Sequence, residues 1–271
     1  MVSKDQPDAV ESESMPAPTV YVKSSDPTTR RARETQVRQV LSLFENLPDT
    51  RLLCFLDDED WLLFKYMLGQ SNRGFHRPLS DQTAFADWPE YITEQIFVDD
   101  PKQLWFRRLF DHVIYMYGST CENPGGLTMT LAHELQHVIQ YETVPDLLTA
   151  SNLFKQLPKQ LLESRNFQWA DMPAEREARA VAKKIAIAIH GKQAVDQFLA
   201  ERAALATHAL ELADVQFIRQ LDTGVPYSVK DETLALYRRF KADRGEFVTA
   251  MEILKAEDSE FKPIDLNSLF D

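Results

Sequence analysis

The chain has 271 residues, 44% of them hydrophobic and 27% charged, with 42 acidic against 30 basic side chains and a formal net charge of −12. A chain of this size buries a core without disulfide or metal staples, and so acidic a balance disfavours a nucleic-acid partner, whose phosphates are held by Lys and Arg. The two cysteines, Cys54 and Cys121, make no secreted disulfide framework; with no apolar signal region and no run of about 18 apolar residues, a cytoplasmic protein without a membrane span is expected, effector-type secretion without a signal peptide being left open.

Residues 1–34 read as a disordered tail, because the first thirty or so are rich in Pro, Ser, Asp and Glu and poor in large apolar side chains. From Glu34 to Leu47, Val37, Val40, Leu41 and Phe44 fall at helical spacing. RLLCFL at 51–56 reads as a short buried strand, with Cys54 in the core. The acidic run Asp57–Asp60 suits the N-terminus of an amphipathic helix over Trp61–Leu68. Residues 69–90, His76 among them, read as irregular surface. YITEQIFV at 91–98 is a strand candidate, edge or interior, and 103–117 reads as a helix passing into a strand at Val113–Tyr117. Pro124-Gly125-Gly126 breaks the chain, and a helix runs from about Leu127 to Tyr141. Helices are expected over 146–164 and 173–190. Gly191 interrupts, and from Ala194 onward the pattern is helical, with breaks near Gly224–Pro226 and Pro263. There is no internal repeat.

The helix over Leu127–Tyr141 carries the chemistry. His133 and His137 lie one turn apart on one face, where two imidazoles can hold one Zn²⁺. Glu134 is offset by about 100°, too far round to complete the chelate easily and well placed to take a proton from water. Leu131, Leu135 and Val138 supply the buried side that such a helix needs. The competing reading is a pair of core histidines beside a solvated glutamate. A catalytic zinc takes three protein ligands and keeps one open position. The next helix, opening at Pro173, offers Glu175 and Glu177. Relative to its apolar stripe of Ala178, Val181, Ala182, Ile185 and Ile189, Glu175 projects closer to the partner helix, so it is the preferred ligand and Glu177 the substitute.

His133-Glu134-Leu135-Gln136-His137 followed by Glu175-x-x-Ala178 resembles the gluzincin group of zinc metallopeptidases. It looks closest to compact bacterial members with a His-Glu-Leu-x-His-Val-x-Gln helix, Gln140 standing in the Gln position. The resemblance covers roughly residues 90–190 and implies His133, His137 and Glu175 as ligands of one zinc per chain and Glu134 as catalytic base. Two departures stand out. Arg179 occupies the place where many members have Asp or Asn, so the outer partner of a ligand histidine must come from elsewhere. The stretch from His137 to Glu175 is long and reads as holding an inserted helix.

These readings combine into an α+β fold: a zincin-like metallopeptidase domain over 35–191, with a small sheet and the HExxH helix, followed by a mostly helical C-terminal region over 192–271. The expected function is hydrolysis of a peptide bond by metal-activated water with Glu134 as general base, on a specific protein or peptide substrate. The transition-state donor stays open among Tyr115, Tyr117, Tyr141, His112 and His208. A metal-binding module that recognises a protein and cuts nothing, and a zinc hydrolase of a non-peptide amide, are the alternatives.

Overall fold

The computed structural model describes residues 17–58, 74–78, 110–257 and 261–265. The chain is mixed α and β and mostly helical, built on a small sheet. The sheet begins inside the segment expected to be tail: β1 is Thr19–Lys23, paired parallel to β2, Leu52–Asp57. Between them runs α1, Pro27–Leu41. The Asp26 carboxylate accepts from the backbone N–H groups of Thr28 and Thr29 at 3.1 and 3.0 Å, and Pro27 fills the first turn. This cap starts the helix well before Glu34, and the helix ends at Leu41 rather than reaching Leu47. Composition alone hid both elements. The β-branched and aromatic alternation of TVYVK and the Asp-Pro start signal were the local cues.

β2 also pairs in parallel with β4, His112–Tyr117, and β3, Gly74–Pro78, lies antiparallel on the far side of β4, giving the order β1-β2-β4-β3. Residues 74–78 are therefore strand, not the irregular surface that their Gly and Pro suggested. The helix over Trp61–Leu68 and the strand over 91–98 lie outside the described residues. β2 and β4 are buried along their whole length, as expected of parallel strands covered on both faces. Cys54, Leu56, Ile114 and Met116 join Val37 and Val40 of α1 in the main core. On the opposite face Tyr21, Phe55 and Tyr115 stack in sequence across the strands, with ring centroids 5.5 and 5.3 Å apart. The Cys54 thiol is pushed up to about 12 by its burial and stays protonated.

After a single turn, α2 (Gly118–Cys121), comes α3, Pro124–Thr143. The break expected at Pro124-Gly125-Gly126 is this helix's first turn. The Asn123 side chain accepts from the N–H groups of Gly125 and Gly126 at 2.8 and 3.3 Å. Close approach explains the glycines: a β-carbon on Gly125 would lie 3.2 Å from the Phe198 ring, and one on Gly126 3.0 Å from the Thr120 carbonyl. Leu131, Leu135 and Val138 are fully buried in the main core.

The helix expected over 146–164 is two short ones, α4 (Pro145–Asn152) and α5 (Lys159–Ser164), separated by a 3-10 turn at Leu153–Gln156. Pro158, which cannot donate within a helix, stands just ahead of α5. The next helix, α6, is Pro173–His190, closed by Gly191 at φ +82°. It packs along α3. Its buried line is Ala174, Ala178, Ala182 and Ala186, with Val181, Ile185 and Ile189 half-buried beside it. The helices α7 (Lys192–Leu205), α8 (Ala209–Gln220), α9 (Val229–Arg239) and α10 (Arg244–Glu257) follow.

The cores do not divide at residue 191. Val195 and Leu199 of α7 and Val215 and Ile218 of α8 belong to the main core with the sheet. The Lys183 ammonium of α6 donates to the carbonyls of Arg219 and Leu221 at 2.9 and 2.8 Å, closing the end of α8. A second core joins Phe154, Leu157 and Met172 to Leu236, Tyr237, Phe240, Phe247 and Ala250 of the C-terminal segment. Phe154 sits at its centre, 5.1 Å from the rings of both Tyr237 and Phe247. Among the described residues no helix is long and apolar enough to cross a membrane.

One surface ion pair ties the start of β2 to the start of β4. The Asp111 carboxylate accepts from the Arg51 side chain at 2.5 and 3.1 Å and from the Arg51 backbone N–H at 2.9 Å. The Arg51 guanidinium leads, against partial burial, in holding the Asp111 carboxyl down at about 2, below its ordinary 3.8. A depressed carboxyl contributes stability above its unfolded value and loses it as pH falls through the folded one. Both side chains are more than a third exposed, so solvent screening keeps the contribution below about 1 kcal/mol. Asp111→Asn is expected to melt a few degrees lower than wild type at pH 6, and the gap should shrink steadily from about pH 4 to pH 2 as the carboxyl is protonated. A gap as wide at pH 2 as at pH 6 would assign the effect to something other than the ionised pair.

Candidate metal centre

α3 and α6 build the centre between them. His133 and His137 project from one face of α3 with their Nε2 atoms 3.0 Å apart. Glu175, in the first turn of α6, faces them: Oε2 is 3.4 Å from His133 Nε2 and Oε1 is 3.6 Å from His137 Nε2. One potential ligand atom from each of the three lies within 4.8 Å of the others, the single such group of three or more His, Cys, Asp or Glu among the described residues. Glu177 does not join it. Its carboxylate accepts from Gln136 Nε2 at 3.2 Å and Gln140 Nε2 at 2.6 Å, one step outside the centre.

The surroundings of His137 and Glu175 favour the protonation states that a divalent cation requires. Gln140 Nε2 faces two acceptors, the Ala174 carbonyl at 3.0 Å and Glu177, so the amide oxygen is the atom that faces His137 Nδ1 at 2.8 Å. An oxygen there accepts only from Nδ1–H, which leaves the lone pair of neutral His137 on Nε2, directed at His133 and Glu175. Burial, and then the charge of His133, push the His137 imidazole's pKa below its ordinary value, which favours that neutral form. For Glu175, burial opposes ionisation. The hydrogen bond with His133, then the neighbouring imidazoles and the Arg179 cation, outweigh it and hold the carboxyl well below the usual range. Two imidazole nitrogens and one ionised carboxylate form a donor set that suits zinc. The outer partner displaced by the arginine at 179 is supplied to His137 by Gln140, from the same helix.

Arg179 has its own task. Its Nη1 donates to Glu175 Oε2 at 2.8 Å and its Nε to Asp214 Oδ1 of α8 at 2.7 Å. Beside His133 opens a cleft of about 210 Å³, whose walls include Gly74, Thr130, His133, Glu134, Arg179 and Asp214. Glu134 is 8% exposed and turned to this cleft. Gly74 brings β3 against α3: a β-carbon there would lie 2.9 Å from the Thr130 methyl and 2.9 Å from the Tyr115 carbonyl.

None of the five residues expected as transition-state donors lines the cleft among the described residues. Tyr115 and Tyr117 are sealed in the sheet, and Tyr115 donates to Asp57 at 2.6 Å. His208 is exposed ahead of α8. His112 is buried in a chain of its own, with Nε2 2.7 Å from Glu142 Oε1 and Nδ1 2.9 Å from His76 Nε2. Tyr141 stands edge-on to both rings, 5.4 and 6.2 Å away. This chain fastens β3 and β4 to the last turn of α3. No spacing rule brings His76, His112 and Glu142 together, and none links Asp214 to Glu175; their neighbourhood exists only in the fold. Compared with protein-family models, with curated proteins and with solved structures, the chain matches none.

Proposed function

We propose that this chain is a zinc-dependent peptidase of zincin-like architecture, working on a specific protein or peptide. The observation that carries the reading is the convergence of His133, His137 and Glu175 with Glu134 on the cleft beside them. His133, His137 and Glu175 would hold the zinc, which when bound would supply Lewis acidity and an acidified water. The Glu134 carboxylate takes the proton of the attacking water and returns it to the leaving nitrogen. The second turn of α6 and the Gln136–Gln140–Glu177 cluster keep the ligands in place while this happens. A pure binding site has no use for a buried carboxylate on the cleft wall at position 134. Strand β3, the terminal strand of the sheet among the described residues, runs beside α3 with Gly74 on the cleft wall.

The test is zinc content followed by a peptide-library digest read by mass spectrometry. Expected are one zinc per chain and new peptide termini, lost with a chelator and restored by zinc. A protein that holds zinc and cuts no peptide is instead a binding module or a hydrolase of another amide. Broad digestion of unfolded casein would remove the dedicated substrate.

A further inference from the structure

The metal centre is tied to the C-terminal helices through a half-buried polar relay. Arg179 lies four residues after Glu175 on α6 and forks between two carboxylates: Nη1 on Glu175 Oε2 at 2.8 Å and Nε on Asp214 Oδ1 at 2.7 Å. Arg179 and Glu175 are 11% and 14% exposed, Asp214 30%. Taken alone, the guanidinium is unfavourable for a metal: it is a cation hydrogen-bonded to an oxygen of the third ligand, and it competes with a dication for that charge. Asp214 changes the balance. It neutralises the guanidinium and fixes its plane, so that Arg179 orients the Glu175 carboxylate without setting an uncompensated positive charge beside the ligands.

We propose that Asp214 is a positioning residue of the metal centre, acting through Arg179 on Glu175, and that the docking of α8 thereby sets the affinity for the metal. The inference rests on the metal reading of His133, His137 and Glu175. Asp214 comes from a helix that sets Val215 and Ile218 in the main core, stacks Phe217 under Arg176 of the ligand helix, and has its end closed by Lys183 from that same helix. Helix α8 is thus part of the machinery that holds the third ligand.

The experiment is zinc affinity by chelator competition on the full chain, for wild type, Asp214→Asn, Arg179→Met and the double variant, with circular dichroism as a check on folding. Asp214→Asn is expected to weaken zinc about 10–100-fold, the range for outer partners of a ligand. In the Arg179→Met background the same substitution should cost threefold or less, roughly, because its intermediary is gone. An Asp214→Asn variant that binds zinc like wild type overturns the proposal. So does an equal loss in both backgrounds, which would make Asp214 a direct charge rather than a partner of Arg179. If Asp214→Asn does not fold, Arg179→Lys takes its place: one ammonium cannot fork both carboxylates, so about tenfold weaker binding is expected, and unchanged affinity overturns the relay. Wild type that takes up no zinc fails differently, since it removes the metal centre itself.

Discussion

Glu134→Gln is expected to keep one zinc per chain while turnover falls by about 10²–10⁴-fold, the usual contribution of a positioned general base. The substitution changes little except the chemistry. Gln has the shape of Glu, so the buried position on the cleft wall is filled as before. It can still hydrogen-bond, but it cannot carry the proton from water to the leaving nitrogen. His133 and His137 lie on the face of α3 that meets Glu175, and Glu134 is offset from them by about 100°, so the ligand set is left intact. Kinetics on the best library peptide, beside metal analysis of the same sample, reads both quantities. Undiminished turnover would remove Glu134 as the base. Loss of zinc together with turnover would make it a ligand and force a different reading of Glu175.

The HExxH spacing was legible because it is local. One turn of helix fixes where His133 and His137 point, and the apolar positions Leu131, Leu135 and Val138 fix which side is buried. Glu175 was legible for the same reason, through the phase of α6, although the buried line runs along its alanines rather than through Val181 and Ile185. What stayed hidden depends on the fold. The Asp214–Arg179 contact joins two helices that no periodicity relates. His76 looked like loop because Gly74 and Pro78 bound its segment, yet that Gly is what lets β3 close on Thr130. The tail was overextended for another reason: composition averaged over thirty residues masks a five-residue strand, whose local alternation becomes decisive only once it pairs in parallel with β2.

The ligand substitutions carry the other large effect. His137→Ala and Glu175→Ala should each weaken zinc by more than ~100-fold, beyond the 10–100-fold typical of outer partners, because each leaves two ligands where a catalytic zinc takes three. Glu177→Ala should fall within that lower range. It keeps all three ligands and removes only the acceptor that holds Gln136 and Gln140, so Gln140 loses one of the two contacts that aim its oxygen at His137. The order of effects therefore separates ligand from support: Glu175→Ala well above Glu177→Ala. Chelator competition on the three variants reads it directly. The reverse order would move the third ligand to Glu177, and it would mean that α6 turns in the metal-bound state to exchange the two carboxylates. Such a turn would have to break the Arg179 fork on Asp214, so Asp214→Asn would then strengthen zinc binding instead of weakening it.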